Sequence, residues 1–267
     1  MLVEVAADSV SARPRVSAVL ITRDAEAHLR ECLAGLSWCD EIVVVDGGSR
    51  DATLTICAEF GARVVTETDW RGFGVQKNRA IALAAGDWLL SIDADEVVTS
   101  TLQAEILEHL QTPGDTVAYT FPRRSNFCGH WMRHGSWWPD HVTRLFRRGA
   151  AKFSDDLVHE RLLVDGHAET LNAPLLHYTY DSYEQALDKL NRYSTLGAQM
   201  AQARGKRSTP AKALLRGVWA FLRTYLLRRG ILDGRAGLAL ALYNAHGTYY
   251  RYLKLWKLGT GRSQPGS

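Results

Sequence analysis

Through the first 110 residues, short apolar runs alternate with helix-period segments, and this rhythm limits the possible folds more than any other feature of the chain. Residues 16–21 (Val-Ser-Ala-Val-Leu-Ile) and 41–45 (Glu-Ile-Val-Val-Val) are dense in β-branched and aliphatic side chains, as buried parallel strands require. Residues 63–66 and 87–92 read as two further strands. Residues 26–36 place Leu29, Cys32, Leu33 and Leu36 on one helical face. Residues 51–60 read as a helix capped by Ser49 or Asp51, 75–85 as one ended by Gly86, and 100–110 as one opened by Ser100 or Thr101. Four strands alternating with four helices need right-handed crossovers, so the fold class is α/β with a mostly parallel sheet flanked by helices.

Sheets of this kind take ligands at the C-terminal ends of their strands. Three polar clusters fall there: Thr22-Arg23, Asp46-Gly47-Gly48-Ser49 and Asp93-Ala94-Asp95-Glu96. Asp93 and Asp95, one residue apart at a strand end, point the same way because strand side chains alternate. With diphosphate oxygens they suit a hard cation, Mg²⁺ or Mn²⁺, which neutralises a departing nucleoside diphosphate. Chance also supplies D-x-D on solvated turns; the position after the fourth strand favours a site. Asp46 precedes two glycines that let a ligand approach the backbone. It reads either as an acceptor for a nucleobase or ribose, with Gly48 beside it, or as an Asx-turn former. Gln76, Lys77, Asn78 and Arg79 begin the third helix, where donors suit an anion and where a solvated face is the plainer reading.

Transfer to an acceptor hydroxyl also needs a base. Glu160 is the first choice and Asp140 the second, and either is equally able to pair with Arg144 or Arg161. His141, His159 and His177 are scattered and read as structural, although His159 and His177 are the two able to approach a metal or diphosphate.

Residues 117–177 contain Trp131, Trp137, Trp138 and Pro139 among many charges, and read as strands and loops completing a cleft. Residues 182–202 read as a helix. The charge is divided: residues 204–262 hold 13 Lys/Arg against Asp233 alone, while the remainder holds 19 basic and 28 acidic residues. An acidic body with a basic C-terminal segment implies an anionic partner for that segment. Residues 209–227 form an amphipathic pattern, with Lys212, Arg216 and Arg223 opposite Leu214, Leu215, Val218, Phe221, Leu222, Tyr225 and Leu226. A second basic, aromatic stretch covers 249–257. Both suit an anionic membrane interface; a helix covering the core is the alternative. No recognised nucleic-acid motif accompanies the basic residues, so nucleic acid is not an expected partner. No apolar run reaches roughly 18 residues, so no membrane span is expected. Residues 1–13 lack an apolar core and do not read as a signal peptide. Cys32, Cys39, Cys57 and Cys128 form no C-x-x-C pair and read as reduced, mostly buried thiols in a cytosolic protein.

In this order the motifs resemble the family-2 glycosyltransferases of the GT-A fold. The residues carrying the likeness are Ser17-Ala-Val-Leu-Ile-Thr-Arg23, Asp40-Glu-Ile-Val-Val-Val-Asp-Gly-Gly-Ser-Arg-Asp-Ala-Thr53 and Asp87-Trp-Leu-Leu-Ser-Ile-Asp-Ala-Asp-Glu96. Trp70-Arg-Gly-Phe-Gly-Val-Gln-Lys-Asn78, Trp138-Pro-Asp140, Arg144-Leu-Phe-Arg147, Val158-His-Glu160 and Leu232-Asp-Gly234 are similar to the lipopolysaccharide core β-1,4-glucosyltransferase group. The resemblance implies a Rossmann-like GT-A sheet in residues 1–180, with a nucleotide-sugar half at about 14–112 and an acceptor half at about 113–180. A basic helical extension would follow over 181–267. The resemblance further implies a nucleotide-diphosphate sugar donor, typically UDP-glucose, inversion at the anomeric carbon and a glycolipid acceptor. With that acceptor comes a cytoplasmic location, peripheral on the inner face of the cytoplasmic membrane. By the same likeness Asp46 contacts the nucleotide, and Asp93 and Asp95 form the metal–diphosphate group. Many family members carry two acids after the second strand, where this chain has Asp46-Gly47. Two other classes compete. One is a phosphotransferase using D-x-D as nucleophile, which usually places that motif after the first strand. The other is a non-catalytic module binding membrane or nucleic acid through the basic segment.

Overall fold

The computed structural model describes residues 13–154 and 160–260. They divide into two compact units, the described residues within 1–121 and 142–174 and those within 122–141 and 175–267.

The first unit is built on β1 (Val16–Thr22), α1 (Glu26–Ala34), β2 (Glu41–Asp46), α2 (Thr53–Glu59), β3 (Arg63–Thr66), α3 (Phe73–Leu83), β4 (Trp88–Ser91), β5 (Glu96–Val98) and α4 (Ser100–His109). The expected α/β architecture is present. β1 pairs in parallel with β2 and with β4, and β2 with β3, giving the order β3-β2-β1-β4. β6 (Thr116–Phe127) starts in this unit and ends in the second, and β7 (His130–Trp131) follows it there. β8 (Asp140–Arg147) returns to the first unit and runs antiparallel to β4, with Trp88 opposite Arg147. β9 (Ala151–Phe153) and β10 (Leu162–Val164) make a small antiparallel ribbon, and β11 (His167–Thr170) pairs in parallel with β6. Val19, Val43, Val45, Ala80, Ala84, Leu89, Ala118 and Phe146 form one buried cluster, with sheet residues on one side and α3 on the other. The nearly continuous burial of β1, β2 and β4 explains why these strands read as continuous apolar runs rather than as alternating ones.

Several element ends differ from expectation. Ala52, not Ser49 or Asp51, occupies the N-cap of α2. The Ser49 hydroxyl is engaged by Asp46 and by the amide of Asp24 instead, while Asp51 accepts from Thr53 N one residue beyond the cap. α4 opens at Ser100 as expected, and Thr99, extended and accepting from Leu102 N at 3.1 Å, caps it. α3 begins two residues early, after Gly72 at φ +110°, and ends at Leu83 because Ala84 is already extended. β4 stops at Ser91, so Asp93, Ala94 and Asp95 lie in the turn between β4 and β5. The strand-alternation argument for a shared direction of the two carboxylates therefore does not apply.

In the second unit, β12 (Leu175–Tyr180) pairs in parallel with the end of β6, and β7 pairs antiparallel with it. Three helices follow: α5 (Tyr183–Ala203), capped by Ser182, α6 (Pro210–Leu222), capped by Thr209, and α7 (Gly234–Thr260). A π turn over Arg223–Leu227 and a 3₁₀ turn over Gly230–Asp233 join α6 to α7. The α6–α7 contact runs through small residues, since a Cβ on Gly217 would lie 3.1 Å from Tyr249 Cβ and 3.3 Å from the Ala245 carbonyl oxygen. Ala213 and Gly217 are the buried positions of α6. Its large apolar residues Leu214, Leu215, Val218, Trp219 and Leu222 are exposed instead, so the reading of α6 as a helix whose apolar face covers the core fails. Among the described residues no helix is long and apolar enough to cross a membrane.

Candidate functional site

At the ends of β1 and β2, the chain turns on Asp46. The side chain is fully buried and receives four donors: Thr22 Oγ1 at 3.0 Å and the Ser49 hydroxyl on Oδ1, and the amides of Gly48 and Ser49 at 2.8 Å each on Oδ2. Burial alone would raise its pKa, but the Ser49, Gly48 and Thr22 hydrogen bonds outweigh burial and lower it. Asp46 thus shapes the turn after β2, accepting from that turn and from Thr22 at the end of β1. Gly48, at φ +87°, has the left-handed backbone that this turn needs. Arg23 is exposed and lies along Gly47. Asp24 accepts from the Arg50 amide, and Asp51 from the amide of Glu26, so these two strand-end loops are stitched together.

Of the helix-start residues, Lys77 reaches the acidic turn. Its ammonium lies 2.9 Å from Asp93 Oδ1 and 3.3 Å from Glu160 Oε1, and 5.0 Å above the Phe153 ring. Gln76 donates to the Glu67 carbonyl, and Asn78 exchanges two hydrogen bonds with the Phe153 backbone. Those two amides tie α3 to its neighbours. Arg79 pairs with Asp69.

Arg144, on β8, completes the cluster. It is buried, and its Nη2 donates at 2.6 Å to both Asp93 Oδ2 and Glu96 Oε1. Burial opposes its charge, but Asp93 and Glu96 more than compensate, so the guanidinium is held well above its ordinary range. Its Nε is buried without a hydrogen-bond partner. Glu96 is fully buried and also accepts from the Asp93 amide. The sequence marks Arg144 only through the Arg144-Leu-Phe-Arg147 motif and as a pairing partner for Asp140 or Glu160, and it pairs with neither. Glu160 pairs with Lys77, and Asp140 with Arg123.

Glu160 comes close to α3 because residue 74 is glycine. A Cβ there would lie 2.0 Å from the Ser154 carbonyl oxygen and 3.4 Å from Glu160 Cβ. The two base candidates thus belong to different units: Glu160 to the first, beside Lys77, and Asp140 to the second. His177 is in the second unit, with Nδ1 3.2 Å from Ser125 Oγ and 3.0 Å from Thr179 Oγ1. His159 lies outside the described residues.

A divalent cation fits this cluster as a shared ion rather than a caged one. Both Asp93 oxygens already meet cations, at 2.9 and 2.6 Å. Among the described residues, no group of three His, Cys, Asp or Glu side chains is assembled for a metal. Asp95, in the same turn and half-buried, offers a carboxylate, and a ligand's own oxygens would have to supply most of the coordination sphere.

A family model described as glycosyl transferase family 2 matches residues 17–163. The chain is 31% identical over 255 residues to the lipopolysaccharide core biosynthesis glycosyltransferase LpsC of Rhizobium meliloti (strain 1021), covering 91% of each chain. It is 28% identical over 257 residues to an uncharacterised glycosyltransferase of Rickettsia prowazekii (strain Madrid E), covering 91% of this chain and 86% of that one. Among solved structures, it superposes on the mannosyltransferase PcManGT of Pyrobaculum calidifontis with a TM-score of 0.50 at 17% identity, over 95% of this chain and 81% of that one. The last likeness speaks for the fold, which is of the GT-A type. Matched over more than half its length by the family model, and along nearly all of it by LpsC, the chain belongs to glycosyltransferase family 2.

Proposed function

We propose that this enzyme is an inverting hexosyltransferase that moves glucose from UDP-glucose to a glycolipid acceptor of the lipopolysaccharide core. The observation that carries the reading is the Lys77–Asp93–Arg144 cluster with Glu160 at its edge, beyond the C-terminal end of β4. The name of the Rhizobium relative supports the acceptor class, and the Pyrobaculum enzyme was solved with GDP-mannose and Mn²⁺, which supports a nucleotide-sugar donor and a divalent cation. We assign residues 14–112 to donor binding, 113–180 to the acceptor and 181–267 to a helical extension.

In this mechanism Glu160 accepts the proton of the attacking acceptor hydroxyl, the new bond forms at the anomeric carbon, and the bond to the diphosphate breaks on the opposite face. Lys77 lies between Asp93 and Glu160, within reach of both the base and a leaving diphosphate. Arg23 and the Gly47–Gly48 backbone, which lie side by side, would border the nucleotide. Asp95, with Asp93, would hold Mg²⁺ or Mn²⁺, which would supply neutralisation of the departing diphosphate. Arg144 fixes Asp93 from below.

We further propose that the enzyme works at the cytoplasmic face of the cytoplasmic membrane. Leu215 is 69% exposed, Leu227 64%, Leu232 64% and Trp219 53%, all on α6 and the turns after it. Lys212, Arg216, Arg223, Arg228 and Arg229 are exposed on the same segment. An apolar face bordered by cations suits an anionic lipid surface. The second basic stretch contributes less. Lys254 is occupied by Asn191, Ser194 and Thr195 of α5, and Leu255 is buried.

The test is a thermal-shift panel of nucleotide sugars with Mn²⁺ or Mg²⁺, followed by transfer assays. UDP-glucose with metal should raise Tm, and Glu160→Gln should keep that shift while lowering kcat about 10²- to 10⁴-fold. A Glu160→Gln enzyme with wild-type kcat overturns the base, and a panel without any shift overturns the donor reading.

A further inference from the structure

The second unit contains an open cavity of about 240 Å³ that the reaction scheme above does not use. Arg123, Ser125, Trp137, Asp140, His177 and Thr179 line it. β6 contributes Arg123 and Ser125 at alternate positions, and β12 contributes His177 and Thr179 in the same way, so each strand presents both side chains on one face. The parallel register sets His177 beside Ser125. Arg123 Nε and Nη2 both donate to Asp140 Oδ2, at 3.0 and 2.6 Å. The Ser125 and Thr179 hydroxyls both meet His177 Nδ1. Trp137 is held edge-on against Phe127, with ring centroids 5.5 Å apart.

The chemistry of this lining selects its ligand. The Arg123 charge is balanced by Asp140, so an incoming phosphate or carboxylate meets a carboxylate as well as a guanidinium. A neutral polyol meets complementary groups instead: a carboxylate and an imidazole to accept or share hydroxyl protons, hydroxyls able to donate or accept, and an indole beside the C–H face of a ring. The volume is below the roughly 300–1,000 Å³ of pockets for drug-sized ligands, which suits one sugar ring rather than an oligosaccharide.

We infer that this cavity is a carbohydrate subsite that takes one neutral pyranose of the acceptor through its vicinal hydroxyls, with Trp137 as its apolar wall. The inference rests on the transferase reading for the word acceptor; the carbohydrate preference stands on the cavity alone. In this role Asp140 binds sugar hydroxyls, and the base remains Glu160.

Saturation-transfer difference NMR with methyl β-D-glucopyranoside, methyl α-D-mannopyranoside and methyl β-D-galactopyranoside tests it on the whole chain. At least one glycoside should receive saturation, and inorganic phosphate should not displace it. Ser125→Ala with Thr179→Val removes two hydroxyls at almost constant volume; it should abolish the signal and raise the acceptor KM about tenfold or more, with donor KM unchanged. An unchanged Tm shows that the variant is folded, and should Ser125→Ala unsettle the fold, Thr179→Val alone gives the same readout. No signal from the wild type with any glycoside, displacement by phosphate, or a variant with wild-type signal and acceptor KM overturns the subsite. Glycoside binding by a chain that shifts with no nucleotide sugar sinks the transferase mechanism and leaves the subsite standing.

Discussion

Asp46 and Asp93 look alike in the sequence, each an acid closing an apolar run, yet their carboxylates have opposite fates. Asp46 is enclosed by four donors, three from its own loop and one from Thr22 at the end of β1, whereas Asp93 is 30% exposed between two cations. Asp46→Asn should cost only about 1 kcal/mol, because its amide oxygen can take the two backbone donors while the hydroxyls of Thr22 and Ser49 rotate to accept from its NH₂. Asp46→Ala leaves those donors without their acceptor and should cost about 3 kcal/mol, read as a fall in the urea midpoint. The pH dependence has a definite sign. The folded-state pKa of Asp46 is lowered, so its stabilisation is present above the ordinary carboxylate pKa of about 3.9 and is lost as pH falls through that value toward the folded one. The Asp46→Ala chain should therefore lose less stability than wild type between neutral and acid pH, and an identical loss in both proteins overturns the assignment. Thiols follow burial too. Burial raises Cys32 well above the ordinary thiol range, and Cys57 is pushed up to about 11. Both should resist iodoacetamide at neutral pH until the chain is unfolded, as read by mass spectrometry.

At the scale of elements, α3 and the segment after β9 form the working contact. Gly74 allows it. An alanine there must displace the Ser154 carbonyl, which is backbone and cannot swing aside. Gly74→Ala should destabilise by about 1–3 kcal/mol and lower the transfer rate by about 10²-fold as Glu160 moves off Lys77, with UDP-glucose binding less affected; calorimetry and kcat check the two parts. A Gly74→Ala enzyme of normal rate would mean that the Glu160–Lys77 contact does not matter. Periodicity could identify α3 as a helix, but nothing in a single sequence distinguishes Lys77, which faces the acid turn, from Gln76 and Asn78, which are tied to backbone carbonyls. Neighbours supplied by β9 and the loop after β3 make that distinction.

At the scale of the molecule, charge and apolar surface are unevenly distributed along the chain. The acidic body and basic C-terminal segment are legible from composition. The exposure of the large α6 residues is not, because an amphipathic pattern serves a core as well as an interface. Leu215→Ser with Trp219→Ser should leave Tm unchanged or raised, since both residues are exposed. It should reduce binding to phosphatidylglycerol vesicles by about tenfold per side chain, measured by co-sedimentation. Binding equal to wild type removes this face as the membrane contact.

By itself, the sequence determined the parallel sheet, the helices that cross over it, and the strand ends on which polar residues collect. Those features depend on local periodicity and on β-branched runs, which need no distant partner to be read. Only the tertiary structure decided that Arg144 secures Asp93, that Asp46 turns inward, that Glu160 rather than Asp140 stands beside Lys77, and that α6 packs through Ala213 and Gly217. Asp46 depends in part, and the others entirely, on a residue far away in the chain, and an ionic or steric fit between distant residues leaves no periodic trace in either of them.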